Sequence, residues 1–157
     1  RRVDRAKRSI YLSAARSSLF NQVLAMRVEQ GSWNTALDGE VWMLEGTKSI
    51  FGPEPMSDEI AARCAALDIH PTGPLWGAGE LRSSSAVLEL ESQLPVLQPA
   101  LCQGLEKADL RQERRALRLL PKDLSWQFVD EKSLELRFEL PPGAYATSVL
   151  AELGQFD

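Results

Sequence analysis

The sequence predicts an α+β fold: a long helix and short strands first, more helices next, then a β-hairpin and a closing helix. Three observations predict it. Apolar residues recur at helical spacing from about Asp4 to Gln30. Apolar and polar residues alternate in two runs, Leu124–Val129 and Leu134–Leu140, around a short polar turn. Between these ends lie short runs of both kinds, separated by Gly and Pro. With 157 residues, 44% apolar and 25% charged, the chain is long enough for a domain and ordinary in composition for a soluble one.

Asp4 is placed to cap the first helix and Gly31 to end it. At 100° per residue, Leu12, Ala15, Leu19, Val23 and Met26 share one face, and Arg1, Arg5, Arg8 and Arg16 fall within roughly the same arc. Arg16 lies amid the apolar part, so it needs a carboxylate, backbone carbonyls or a phosphate. Residues 34–51 read as strands: an Asp38-Gly39 turn, then "EVWMLE", then "SIF" ended by Gly52-Pro53. Ser57 or Asp58 caps a short helix, "DEIAARCAALD". The stretch "HPTGPLWGAGE", His70 to Glu80, carries two prolines and three glycines and reads as an irregular loop. Trp76 in it is either a functional aromatic or a core plug. His70 is the only histidine and has no evident nucleophile beside it.

From Ser84 the pattern is helical to about Leu120, interrupted at Pro95 and Pro99. In that reading Lys107, Arg111, Arg114 and Arg118 share a face, with Arg115 on its edge. Such a ridge either tracks a phosphate backbone or is a solvated face with local Glu and Asp pairs. In the hairpin, Asp130-Glu131-Lys132 make the turn, and Leu134, Leu136, Phe138 and Leu140 share one face. Pro141-Pro142-Gly143 then turn the chain into a helix near Tyr145–Leu153.

The net charge of −4 argues mildly against nucleic acid, but the charge is polarised. Basic residues gather in "RRVDRAKR" and between Lys107 and Arg118, while residues 38–60 and 80–93 lean acidic. No run of eighteen apolar residues predicts a membrane span. Arg16 inside the apolar part argues against a secretory signal, and the absence of an initiator Met points to a piece of something longer. Cys64 and Cys102 read as buried free thiols without metal-ligand spacing.

Two stretches carry a resemblance. "KRSIYLSAARSSLFNQVLAMRV", Lys7 to Val28, resembles the R-S-x-x-L-S-A-A-R-S-x-L-F-N block of the tRNA pseudouridine synthase D family. "LELRFELPPGAYATSVLAEL", Leu134 to Leu153, is similar to that family's closing block, a strand, then P-x-G-(S/A)-(Y/F)-A-T-S-V and a helix. "TGPLWGAGE" and "ERRALRLLP-xx-LSW" match lesser signals. The resemblance implies an enzyme that isomerises a uridine in the D arm of tRNA, uridine 13, to pseudouridine, with a catalytic aspartate, no cofactor and no metal. It implies a cytoplasmic protein whose partner is tRNA, with no membrane partner. It implies residues 1–123 as an inserted, mainly helical domain and 124–157 as a returning segment of a larger mixed-sheet catalytic core.

The family's G-Q-K-D-like aspartate motif is absent here, as is its N-(Y/F)-F-G block. Lys122-Asp123 sits in "LLPKDLSW", which matches a different block. Ala151 stands where many members carry Arg. The sequence therefore offers no catalytic residue, and the chain corresponds to the second half of a member, lacking the N-terminal half of the catalytic domain. Candidate RNA contacts are Arg8, Arg16, Lys107, Arg111, Arg114, Arg115 and Arg118. Candidate walls of a base pocket are Phe138, Leu140, Gly143 and Tyr145. The alternatives are a non-catalytic RNA-binding module and a soluble α+β protein-interaction domain.

Overall fold

A computed structural model describes residues 4–154. Arg1, assigned to the basic stripe of the first helix, lies outside them. The chain divides into two compact units, Arg1–Arg118 and Leu119–Asp157.

In the first unit the long helix α1 spans Arg5–Glu29. The Asp4 side chain makes no capping bond, and Gly31 follows the helix at φ +66°. β1 (Trp42–Leu44) and β2 (Ile50–Phe51) follow, then α2 (Asp58–Ala65). Ser57 is the α2 cap: its Oγ accepts the Ile60 N–H at 3.2 Å. β3 (Ile69–Leu75), α3 (Ser85–Glu91), α4 (Leu94–Leu97), α5 (Pro99–Lys107) and β4 (Glu113–Ala116) complete the unit. The strands form one antiparallel sheet in the order β2-β1-β3-β4.

The apolar stripe of α1 is buried as its spacing predicts. Leu19 and Val23 join Trp76, Leu90, Leu94, Cys102 and Leu105 in the main core, with Leu12, Ala15 and Met26 packed against it. Trp76 is therefore a core plug, and its Nε1 donates to Glu106 Oε1 at 3.0 Å. A second cluster joins Trp42, Ile60, Cys64 and Ile69. Both cysteines are free and buried. Burial and the Glu106 carboxylate push the Cys102 thiol up to about 11, so it stays protonated at neutral pH.

Two sequence readings need correction. The stretch from His70 is not an irregular loop: residues up to Leu75 form β3, an inner strand of the sheet. Its prolines are tolerated because of ladder phase. Glu45 N–H bonds the Asp68 carbonyl and Leu117 N–H bonds the Pro71 carbonyl. In that phase Pro74 owes no N–H to β4 and lies past the last residue paired with β1, while Pro71 gives up one bond at the end of the β3–β4 pair. The helix to Leu120 is also absent. α5 ends at Lys107, Asp109 takes φ +60°, and the helix-prone "ERRA" pairs with β3 as β4. Tertiary pairing overrides local propensity there.

The second unit holds β5 (Lys122–Phe128), β6 (Leu134–Glu139) and the short helix α6 (Ala146–Ala151). β5 and β6 form a separate two-stranded antiparallel sheet. At the turn, the Asp130 carboxylate accepts the Lys132 N–H at 2.8 Å, which holds its pKa below the ordinary value. The register sets Trp126 opposite Leu136 and Phe128 opposite Leu134, so these four share a face. The Trp126 and Phe128 rings meet edge to face at 5.9 Å. Trp126 is 65% exposed and Phe128 69%.

Candidate nucleic-acid interface

The basic residues singled out in the sequence do not form one ridge. Lys107 ends α5, Arg111 follows in the connecting segment, Arg114 and Arg115 are adjacent on β4, and Arg118 lies just past it. Consecutive strand residues point to opposite faces, so Arg114 and Arg115 diverge.

Three of the seven candidate cations are engaged inside the first unit. Arg16 donates from Nη1 to Glu113 Oε2 at 2.9 Å, and from Nη2 to the carbonyls of Leu75 and Arg111, both at 2.7 Å. That answers its placement on an apolar stripe with a carboxylate and two backbone carbonyls. Arg114 is nearly buried against Glu91. It donates from Nη1 and Nη2 to the two carboxylate oxygens, from Nε to Thr72 Oγ1 at 2.6 Å, and from Nη2 to the Thr72 carbonyl at 2.8 Å. Ser83 Oγ donates to Glu91 Oε2 at 2.6 Å, and Thr72 Oγ1 donates to the Val41 carbonyl.

Arg118 makes four bonds. Nε donates to His70 Nδ1 at 2.7 Å, Nη1 to Asn34 Oδ1 at 2.6 Å, and Nη2 to the carbonyls of Cys64 and Ile69. Because an arginine can only donate, Nδ1 of His70 is the acceptor and Nε2–H is left to donate to Glu45 Oε2 at 2.6 Å. The single histidine is thus a structural link between the strand before Arg118 and the end of β1.

A second buried pair escaped the sequence reading. Arg27 and Glu40 meet at 2.8 Å, 1% and 0% exposed. Arg27 also donates to the Ser32 and Thr35 carbonyls, and Glu40 Oε1 accepts the Thr72 N–H. Burial pushes the Glu40 carboxyl above its ordinary value, and Arg27 pulls it back. The signal was present: Arg27 continues the Leu19, Val23 stripe, and Glu40 directly precedes the apolar Val41-Trp42. Both pairs satisfy the rule that a buried charge needs a partner and further hydrogen bonds.

The other four candidates, Arg8, Lys107, Arg111 and Arg115, have exposed side chains. The candidate pocket residues lie in the second unit: Phe138 and Leu140 are half-buried, Gly143 turns the chain at φ +89°, and Tyr145 is exposed. A shallow depression on the hairpin is lined by Ser125, Trp126, Gln127, Glu135 and Arg137, and none of those four lines it. Among the described residues no helix is long and apolar enough to cross a membrane.

The family model of tRNA pseudouridine synthase D (TruD) matches residues 1–153. The tRNA pseudouridine synthase D of Xanthomonas oryzae pv. oryzae is 57% identical over 157 residues, which is 99% of this chain and 42% of that protein. That of Methylococcus capsulatus is 47% identical over 100% of this chain and 44% of its own length. A crystal structure of the putative tRNA pseudouridine synthase D from Methanosarcina mazei superposes with a TM-score of 0.65 at 22% identity, covering 87% of this chain and 36% of that one. The chain thus spans less than half the length of these relatives. With its family model matched almost end to end, the chain belongs to the tRNA pseudouridine synthase D family.

Proposed function

We propose that this chain is the second part of an enzyme that converts a uridine of the tRNA D arm, uridine 13, to pseudouridine in the cytoplasm. The observation that carries this reading is the family match over residues 1–153. The isomerisation breaks the N-glycosidic bond, turns the base and rejoins it to the sugar through carbon. The aspartate that attacks or assists comes from the part of the enzyme this chain lacks. Residues 1–123 act as the inserted domain. Residues 124–157 return to the catalytic core, where Phe138, Leu140, Gly143 and Tyr145 wall the pocket for the flipped base. Apolar and aromatic walls suit a base taken out of its stack, and they keep water from the cleaved glycosyl intermediate.

RNA is held by the exposed cations Arg8, Lys107, Arg111 and Arg115. Arg16, Arg114 and Arg118 spend their donors on this chain's own carbonyls, side-chain acceptors and carboxylates, so they shape the surface rather than touch RNA. Tritium release from tRNA labelled at uridine C5 tests the reading. The purified 157-residue chain should release none above a no-enzyme blank, and a protein that restores the missing half should turn over. Release by the chain alone would overturn the assignment of the nucleophile to another segment.

A further inference from the structure

We propose that Arg115, its guanidinium laid on the Phe20 ring, is a preformed clamp for one backbone phosphate of the bound RNA. This rests on the tRNA reading above and names a residue and geometry within it.

The site is built from three elements. Gly73 on β3 stands opposite Arg115 on β4. A Cβ at Gly73 would come within 3.1 Å of the Phe20 ring and 3.0 Å of Leu117. Glycine there lets the ring, carried by α1, sit down on the strand. The Arg115 Cζ then lies 5.2 Å from the Phe20 centroid. Phe20 is buried while Arg115 is exposed, so the ring side of the guanidinium is covered and the rest remains open to solvent.

Of the two arginines that lie over an aromatic ring, Arg115 is the one without an ion pair among the described residues. Glu113 lies two residues away on the same strand, hence on the same face. Its carboxylate is held by Arg16. Among the described residues Arg115 forms no ion pair and its side chain donates no hydrogen bond. Arg63 lies 5.4 Å over the Phe51 ring, but Asp68 neutralises it at 2.6 Å. A guanidinium held over a ring with its donors unspent can meet a phosphate in bidentate fashion. Holding the guanidinium over the ring in advance lowers the ordering cost of binding. Exposed Lys107 and Arg111 precede it in the chain.

The test is tRNA binding by the 157-residue chain across a salt series, with Arg115→Gln, Arg115→Lys and Phe20→Leu beside the wild type. Arg115→Gln should flatten the slope of log K against log salt by about 0.7–0.9, one phosphate contact. Arg115→Lys should keep the slope but weaken binding about two- to fivefold, since charge survives while fork and stacking are lost. Phe20→Leu, checked for folding by its urea midpoint, should weaken binding by a similar factor with the slope kept. If the wild type binds with clear salt dependence and Arg115→Gln matches it in slope and affinity, the clamp is wrong and the tRNA reading stands. If the wild type shows no salt-dependent binding, both fall.

Discussion

Arg114→Ala should destabilise the first unit by about 3–5 kcal/mol, the cost of leaving one partner of a buried ion pair alone. Glu91 is fully buried and keeps only the Ser83 hydroxyl once the guanidinium is gone. The Thr72 carbonyl loses its donor as well. Against a total stability of about 5–15 kcal/mol this is a large fraction. In urea, with a slope of about 1–3 kcal/mol per molar, the midpoint should fall by at least about 1 M. Buried Trp42 and Trp76 report the transition by fluorescence. Arg115→Ala, one residue on, should cost no more than about 0.5–1 kcal/mol, the worth of its exposed cation–π contact with Phe20. Equal midpoints for the two variants would mean that Arg114 is not a buried structural partner.

Gly39→Ala should be nearly as damaging, by about 2–5 kcal/mol. Gly39 has φ +82°, and a Cβ on it would lie 1.8 Å from the Ser84 carbonyl oxygen. The clash is backbone against backbone, and the two segments are tied: Ser84 N–H donates to the Gly39 carbonyl, and Val87 N–H to that of Asp38. Left-handed backbone costs a residue with a Cβ about 1–2 kcal/mol. Overpacking adds about 1–3 kcal/mol. Gly104→Ala is the internal control. That glycine sits inside α5 with nothing near its missing Cβ, so alanine should stabilise the protein by roughly 0.5–1 kcal/mol. A Gly39→Ala midpoint within error of the wild type would contradict the close approach of the β1 turn to α3.

Periodicity made α1 legible, since Leu12, Ala15, Leu19, Val23 and Met26 do line the core. Capping chemistry made the start of α2 legible, and alternation made the hairpin legible. The failures have physical causes. Breaker rules misread β3, because what a proline costs depends on which neighbour its N–H would face, and that is a property of the ladder. Helix propensity misread "ERRA", whose pairing with β3 and whose Arg114–Glu91 bond join residues far apart in sequence. For the same reason the cations could be named but not sorted. Spacing along a chain does not reveal which arginines find an internal carboxylate, and Arg16, Arg114 and Arg118 each found acceptors on distant segments.

We propose that residues 124–157 complete a larger enzyme rather than form a domain of their own. Every residue of β5 is exposed, and Trp126, Phe128 and Leu134 open an apolar face to solvent. Fully burying each such side chain is worth about 1.5–3 kcal/mol. A two-stranded sheet lacking that burial is marginal in water, and its free edges invite association. Hydrogen exchange by mass spectrometry, with molar mass from light scattering on the same sample, tests this directly. The 157-residue chain should exchange the β5 and β6 amides far faster than those of β3 while it is monomeric, or protect them only as it associates. Slow exchange across residues 134–139 in a clean monomer would contradict it, because the hairpin would then be part of a self-sufficient fold.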